Sequence, residues 1–308
     1  MRILLILTVL IFSCFANTST IEELQEEFKK EVIELNAFKK RFGSYLYEEC
    51  GEDSVCYKRT VSKLKTWESV QADKKLNRLL SQKFSRLGYD EEYWKNLVNK
   101  LKTKNINLNN TQFVSIIDLD KQLYIVTLWD EEKQEFEYIG NDFISSGNIY
   151  REGEVKYGED HYLKTPAGVF KSKYGWRSEG KKGSDNASLG YGYKDRYVFY
   201  FGKQTSVRFN TFNENKEKIY DPDKWQLIKD QLEFAVHSHK STRPMGEPNS
   251  HGCIRMTDEL NRFLDNNSIL HKNMLKGDKW LHKYAKEPID PKYHNLAGEY
   301  LIIFDKVY

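Results

Sequence analysis

One stretch of the chain, residues 234–256, concentrates the side chains that could carry out covalent chemistry. It contains three of the seven histidines and Cys253, the only cysteine after residue 56. A cysteine attacks as its thiolate, and a free thiol with a pKa of about 8.5 is mostly protonated at neutral pH. A histidine can accept that proton, and a third group can fix the tautomer of its ring. These residue types predict an acyl-transfer site with Cys253 as nucleophile, His237 as base and Ser238 as an orienting group.

The elements around this stretch predict how the nucleophile and the base meet. Phe234 to Val236 is a short apolar run typical of a buried strand, and His237 follows at its end. A loop rich in Gly and Pro comes next, before the chain returns at Cys253. Gly252 removes side-chain bulk beside Cys253, so a carbonyl could approach and backbone N–H groups could hold an oxyanion. Thr257, followed by two acidic residues, predicts the N-cap of a helix.

The same side chains also fit a metal site. On a strand, His237 and His239 would share one face, and His251 and Cys253 repeat that spacing. Four such ligands suit zinc. A third interpretation is a buried cysteine among core histidines, but the Ser, Gly and Pro residues of this segment indicate an exposed loop instead.

Three segments occur in order along the chain and carry a family resemblance. They are Phe143–Gly147, Lys164–Phe170 with its Thr-Pro-x-Gly-x-Phe pattern, and Ser250–Met256, which reads Ser-His-Gly-Cys-Ile-Arg-Met after the upstream His237. This combination resembles the L,D-transpeptidase catalytic domain, the YkuD-like family, over about residues 112–308. Twelve residues separate His237 from Ser250, somewhat fewer than is usual in the family.

The resemblance implies a fold class and an activity. It implies an α+β chain, in which an N-terminal helical region precedes a mainly β, YkuD-like β-sandwich catalytic domain with a few helices. The implied substrate is the peptidoglycan stem peptide. Cys253 would attack the carbonyl of the third stem residue and expel D-Ala. The thioester would then pass to another stem, a free D-amino acid, water or a protein, which corresponds to cross-linking, exchange, L,D-carboxypeptidase action or protein attachment.

The resemblance also assigns roles to individual residues, with no metal and no cofactor. The implied catalytic residues are Cys253, His237, Ser238 and Gly252, and the implied substrate-binding residues are Ser250, His251, Arg255 and His239. For Arg255, a structural salt bridge is an equal alternative to binding the carboxylate of the donor. The alternative function is a metal-binding or catalytically idle cell-wall-binding protein of the same fold.

The N-terminus predicts export to the periplasm or cell envelope of a bacterium. Residues 3–12 are apolar except Thr8 and follow the single basic residue Arg2, which is typical of a signal-peptide core. Cys14 either receives a lipid, as in a bacterial lipobox, or lies in a leader cleaved after Ala16. Since no second long apolar run occurs, we expect no transmembrane domain in the mature chain.

The remaining cysteines and the pattern of elements predict the domain organisation. In an oxidising compartment Cys50 and Cys56 can form a disulfide, which leaves Cys253 as a free thiol. Helical spacing of apolar residues, including Glu91 to Leu101, predicts a helical region. Strand-like patterns begin at Phe113 and recur to Tyr300–Phe304. The predicted divisions are a leader at 1–16, a helical region at 17–104, a linker at 105–111 and a catalytic domain at 112–308.

Composition excludes one class of partner. The chain of 308 residues has 48 basic and 45 acidic residues, a net charge of +3 and a mean hydropathy of −0.71. Because the basic residues form no block or stripe, we exclude nucleic acid as a partner.

Overall fold

A computed structural model gives the conformation of most of the chain. It describes residues 20–34, 86–104, 106–150, 157–158, 161–181, 190–239, 245–277, 279–281 and 285–306. The predicted leader with Cys14, and the predicted disulfide between Cys50 and Cys56, lie outside these residues and stay predictions.

The described elements begin with helices and continue mainly as strands. Helix α1 covers residues 20–28 and continues as a π-helical turn, Lys29–Glu34. The later helices are α2 (Glu91–Lys102) and α3 (Asp258–Asn266). The strands are β1 (Gln112–Asp118), β2 (Leu123–Asp130), β3 (Glu135–Ser145), β4 (Gly168–Lys171), β5 (Tyr174–Arg177), β6 (Tyr197–Asn210), β7 (Gln226–Ser238), β8 (Ile254–Met256), β9 (Leu275–Lys276), β10 (Lys279–Trp280) and β11 (Tyr300–Phe304). Single 3₁₀ turns occur at Pro222–Lys224, Lys272–Met274 and His294–Leu296.

Within the described residues, nine strands form one sheet in the order β4-β11-β1-β2-β3-β8-β7-β6-β5. Most neighbours are antiparallel, but β1 pairs with β11, and β7 with β8, in parallel. The short strand β8 therefore lies between β3 and β7, where the two halves of the sheet meet. The predicted mainly β fold with N-terminal helices is confirmed.

The sheet carries apolar side chains on both faces near β1. Phe113 and Ile117 belong to one buried cluster, and Val114 and Ile116 belong to a second. Successive side chains of a strand point to opposite faces, so this split follows from the pleat. Helices α1 and α3 cover the first cluster and α2 covers the second.

Helix α1 packs directly against the catalytic sheet. Its residues Leu24 and Phe28 are almost fully buried, and the Phe28 ring lies edge-to-face on Phe263 of α3 at 4.9 Å. A Cβ at Gly140 of β3 would lie 2.2 Å from the Phe28 ring, so glycine makes room for this contact. The helix and the sheet thus share one core, although the boundary between a helical region and a catalytic domain stays a prediction.

Several predicted elements occur where the sequence indicated them. Strands β1 and β11 match the strands predicted at Phe113 and at Tyr300–Phe304, and α2 matches the helix predicted from Glu91. Thr257 is the N-cap of α3, and its hydroxyl oxygen accepts a hydrogen bond from the Leu260 N–H at 3.1 Å. In the part of the chain that the structure describes, no helix has both the length and the apolar character needed to cross a membrane.

Candidate active site

Cys253 lies immediately before β8, with its thiol against the neighbouring strand β7. The Sγ–H donates a hydrogen bond to the Glu233 backbone carbonyl at 3.3 Å. The parallel register places Ile254 beside Val236 and Arg255 beside His237. A short strand that begins directly after the cysteine therefore fixes the position of the thiol along β7.

His237 is nearly at the end of β7 and is 3% exposed. Phe234 and Val236 point into the core, so the alternation of the strand places Ala235 and His237 together on the opposite face. The His237 Nδ1 is 2.8 Å from the Ser238 backbone oxygen. A carbonyl oxygen can only accept, so this contact assigns the proton to Nδ1 and leaves Nε2 with a free lone pair. That is the tautomer a general base requires.

Burial keeps both candidate groups neutral. It lowers the pKa of His237 to about 4, a shift that the hydrogen bond to Ser238 only partly opposes and the charge of Arg255 reinforces. Burial also raises the pKa of the Cys253 thiol to about 11, and the Ala235 backbone N–H and Arg255 partly oppose that rise. The resting site therefore contains a thiol and a neutral imidazole, rather than a thiolate–imidazolium pair.

Gly252 has a conformation and a position that exclude a side chain. Its φ is +133°, and a Cβ there would lie 2.8 Å from a methyl carbon of Leu232 and 3.3 Å from Cβ of Leu163. Its N–H donates to Ser250 Oγ at 3.1 Å. Gly252 thus supplies the turn that presents Cys253, while its N–H is already hydrogen-bonded.

Thr165 connects the three segments that carry the family resemblance. Its Oγ1 accepts a hydrogen bond from the Gly147 N–H at 2.8 Å and donates one to the Gly252 carbonyl at 2.7 Å. A Cβ at Gly147 would be 2.8 Å from the Cα of Gly252, so these two backbones are in close contact. Segments that are far apart in the sequence therefore form one support beneath the cysteine. The Thr-Pro-x-Gly-x-Phe pattern was the signal for Thr165, but it did not reveal this role.

Ser250 and Arg255 hold the turn before β8. Ser250 is buried, and its hydroxyl donates to the Cys253 carbonyl while accepting from the Gly252 N–H. The hydroxyl of Ser250 is thus already used inside the turn, and its predicted contact with substrate stays a prediction. Arg255 donates through Nη1 to the Asn249 carbonyl at 2.9 Å. Its charge acts on both Cys253 and His237.

The two remaining predicted site histidines lie at the rim of this arrangement. His251 stacks on the Tyr162 ring, with ring centroids 4.0 Å apart. His239 continues the line of β7, where its backbone N–H donates to the Met256 carbonyl at 3.0 Å. Across the described ranges, no three His, Cys, Asp or Glu side chains are close enough together to hold a metal ion.

A row of aromatic rings and a carboxylate, which the sequence did not single out, complete the site. Tyr191 contacts the His237 ring edge-to-face at 5.3 Å, and burial raises the pKa of its hydroxyl. The Tyr200 hydroxyl donates to the Glu233 carboxylate. The sequence is rich in tyrosine, with 20 in all, and no local signal separates these two from ordinary sheet residues.

Comparison with known proteins supplies the family. Residues 112–279, more than half of the chain, match the family described as YkuD, the L,D-transpeptidase catalytic domain. The matched range contains all three segments around Thr165 and the turn with Cys253. The chain belongs to the YkuD family of L,D-transpeptidase catalytic domains.

Solved structures of similar fold include three from different bacteria. An L,D-transpeptidase from Xylanimonas cellulosilytica is 16% identical, with 68% of this chain and 69% of that chain covered and a TM-score of 0.30. Bd1075 from Bdellovibrio bacteriovorus is 14% identical, with 65% of this chain and 50% of that chain covered and a TM-score of 0.31. The helical cell shape determining protein Pgp2 from Campylobacter jejuni is 11% identical, with 70% of this chain and 56% of that chain covered and a TM-score of 0.28. This chain thus spans only about half of the length of the last two proteins.

None of the curated protein sequences matches this chain.

Proposed function

We propose that this chain is an exported cysteine acyltransferase that acts on the stem peptides of peptidoglycan. Membership of the L,D-transpeptidase family supports the reaction class. The observation that carries the proposal is the placement of the Cys253 thiol against β7, the strand that also carries His237, whose Nδ1 is fixed by the Ser238 carbonyl at 2.8 Å. The nucleophile and the oriented base are the two groups that acyl transfer needs.

The first half of the proposed reaction forms a thioester. Cys253 Sγ attacks the carbonyl carbon of the third stem residue as its proton moves to His237 Nε2. The C–N bond to the terminal D-Ala then breaks, and the departing amine takes the proton from His237. Because the thiol and the imidazole are both neutral at rest, the proton moves during the attack and no stored thiolate is needed.

The second half of the reaction transfers the acyl group. An amine or water attacks the thioester carbonyl, the C–S bond breaks, and the sulfur of Cys253 recovers a proton through His237. An amine from a second stem gives a cross-link, a free D-amino acid gives exchange, and water gives L,D-carboxypeptidase action. Residues around this centre would bind the donor, and the half-buried His251 and the charge of Arg255 are the groups proposed for that task.

The experiment that tests this function uses muropeptides with tetrapeptide stems and mass spectrometry. The wild-type protein should produce a cross-linked dimer, a tripeptide or an exchanged tetrapeptide, which have different masses. Cys253→Ala should produce none of these and should unfold at the same urea concentration as wild type. Full turnover by Cys253→Ala would refute the proposal, as would a wild-type protein that produces no product and gains no mass from a carbapenem.

A second function, a cell-wall-binding protein without turnover, has one observation in its favour. The Cys253 thiol donates to the Glu233 carbonyl, and its pKa of about 11 makes it a poor nucleophile at rest. The two functions differ in the carbapenem experiment, because an idle protein would retain muropeptides in a pull-down but would form no covalent adduct. A covalent carbapenem adduct on Cys253 would support the enzymatic function and contradict the idle one.

Export and anchoring belong to the same proposal. A mature protein isolated from the cell envelope should begin at Cys14 with a lipid mass, or after Ala16 without one, and mass analysis of the N-terminal peptide distinguishes the two. A mature chain that still begins at Met1 would contradict export. The predicted helical region at 17–104, with its disulfide, and the linker at 105–111 form the remaining parts of this proposed organisation.

A further inference from the structure

The carboxylate of Glu233 lies close enough to the candidate nucleophile for its charge to act on the thiol, yet it has no role in the proposed acylation. The backbone carbonyl of Glu233 accepts a hydrogen bond from the Cys253 thiol at 3.3 Å. Along β7, residues 233, 235 and 237 alternate with the buried Phe234 and Val236, so Glu233 and His237 lie on the same face of the strand. Ala235, which is 1% exposed, lies between them on that face.

The Glu233 carboxylate is held ionised in a defined position. The Tyr200 hydroxyl donates a hydrogen bond to one carboxylate oxygen, and the Lys203 ammonium lies 3.3 Å from the other. The hydrogen bond from Tyr200 and the charge of Lys203 lower the pKa of this carboxyl. A negative charge is therefore present beside Cys253 at neutral pH, although it raises the pKa of the thiol and so opposes acylation.

The Lys203 contact shows which group this carboxylate accepts. A primary ammonium already lies at ion-pair distance from Glu233, at the end of a flexible side chain that is 71% exposed. An exposed pair of this kind is weak, so a ligand can displace Lys203 from it. The ammonium of a displaced Lys203 would then be available to a carboxylate on the same ligand.

Aromatic rings connect this charged pair to the base. Tyr191 lies against His237 at 5.3 Å, Trp176 lies against Tyr191 at 5.4 Å, and Trp176 and Tyr200 are 5.8 Å apart. Tyr200 in turn holds Glu233. The rings thus form a continuous apolar path from His237 to Glu233, which suits the hydrocarbon part of a ligand whose charged part meets Glu233 and Lys203.

We propose that Glu233 and Lys203 form the binding site for the acyl acceptor, and that they select the zwitterionic centre of a D-amino acid or of the amino-acid end of a second stem. Glu233 binds the ammonium group and Lys203 the carboxylate. The inference rests on the proposed function, because it concerns the second half of that reaction. It explains why a carboxylate that disfavours the thiolate is present beside the nucleophile.

The acyl transfer to the bound amine needs only water, the thioester and the side chains of His237 and Cys253. The bound ammonium loses one proton to water, and the resulting amine attacks the thioester carbonyl carbon. A C–N bond forms as the C–S bond breaks, and the second proton of the nitrogen passes through His237 Nε2 to the departing sulfur of Cys253. Glu233 holds the nitrogen near the carbonyl and is not consumed.

The test compares two nucleophiles with Glu233→Gln. D-Methionine carries the ammonium and the carboxylate, whereas hydroxylamine carries neither charge at neutral pH. After acylation with a tetrapeptide donor, Glu233→Gln should raise the KM for D-methionine by about three- to tenfold and leave the KM for hydroxylamine within about twofold of wild type. Glu217→Gln, which removes one charge from the β6–β7 hairpin, is the matched control and should leave both values unchanged.

A binding measurement keeps this proposal separate from the proposed function. In Cys253→Ala protein, which cannot form the thioester, D-methionine binding should weaken about three- to tenfold when Glu233→Gln is added. This titration gives an answer even if the wild-type protein shows no turnover. The proposal is overturned if Glu233→Gln leaves the binding and KM of D-methionine within twofold of the parent protein, or if it changes both nucleophiles equally.

Discussion

The Ser238 backbone carbonyl accepts the Nδ1 hydrogen bond of His237 at 2.8 Å. The hydroxyl of the same serine is buried and has no hydrogen-bond partner among the residues that the structure describes. The carbonyl therefore provides the third group that orients the imidazole, and the side chain of Ser238 is dispensable for that purpose. The sequence predicted Ser238 as an orienting group without indicating which of its atoms would act.

This relationship predicts opposite results for two small substitutions. Ser238→Ala should keep muropeptide turnover within about threefold of wild type, because the carbonyl remains. Gly192→Ala should lose most activity, since a Cβ there would lie 2.3 Å from the Ser238 oxygen and the φ of Gly192 is +80°. Turnover assays on both variants, with urea unfolding to compare stability, check this. Loss of activity in Ser238→Ala at unchanged stability would assign the role to the hydroxyl.

Thr165 should be required for its hydroxyl rather than for its shape. Thr165→Val is nearly isosteric but leaves the Gly147 N–H and the Gly252 carbonyl without their partner, which costs about 1–3 kcal/mol for each buried group. We expect a loss of about 2 kcal/mol or more in unfolding free energy and a lower kcat. Thr165→Ser keeps the hydroxyl and serves as the control. Equal stability of the Val and Ser variants, measured by urea unfolding, would contradict the role of these bonds.

The pKa of Cys253 predicts how its alkylation depends on pH. With a pKa of about 11, only about one thiol in ten thousand is ionised at pH 7. The rate of alkylation by iodoacetamide should therefore rise about tenfold per pH unit from pH 7 to 10. Acylation by a carbapenem should rise less steeply, because His237 supplies the base and stays neutral above its pKa of about 4. An alkylation rate already constant at pH 7 would indicate a stored thiolate instead.

The candidate reactive groups and much of the β fold could be predicted from the sequence, because both are marked by residues that are close together along the chain. Cys253, His237 and the N-cap at Thr257 are marked by residue type and by the breaks around them. The short apolar runs of β1 and β11 likewise identify strands without knowledge of their partners. These features depend on neighbours in the sequence, which a single chain reveals.

The features that the sequence could not reveal depend on contacts between distant segments. Thr165 bonds to Gly252, 87 positions away, and Tyr200 reaches Glu233, 33 positions away. Those contacts follow from the order of strands in the sheet, which the pattern of each strand does not specify. The protonation states of the site arise in the same way, because burial by the whole fold shifts the pKa values of Cys253 and His237.

The packing of helix α1 predicts that the N-terminal segment contributes to the stability of the catalytic sheet. Phe28→Ala removes a ring that fills the space above Gly140 and contacts Phe263, so the unfolding free energy should fall by about 3–5 kcal/mol. Glu26→Ala, on the exposed side of the same helix, should change it by less than about 0.5 kcal/mol. Urea unfolding followed by tryptophan fluorescence measures both. Equal, small effects would show that the helix folds apart from the sheet.

Two buried histidines predict a loss of stability in mild acid. His271 has no exposed surface and is enclosed by the rings of Tyr197, Phe199 and Trp280. Burial lowers its pKa, and the charges of Arg177 and His294 reinforce the shift, whereas Asp265 opposes it. Burial lowers the pKa of His237 as well, to about 4.

The direction in which stability changes with pH follows from proton binding. Below the ordinary histidine pKa of about 6.5 the unfolded chain takes up protons that the folded protein does not bind, so stability present at pH 7 is lost as the pH falls from 6.5 towards 4. For His237 the full loss of unfolding free energy is about 3 kcal/mol, and His271 adds to this loss. His271→Phe should therefore lose less stability than wild type between pH 7 and pH 4.5 in urea unfolding at each pH. The same acid loss in both proteins would show that His271 does not contribute to it.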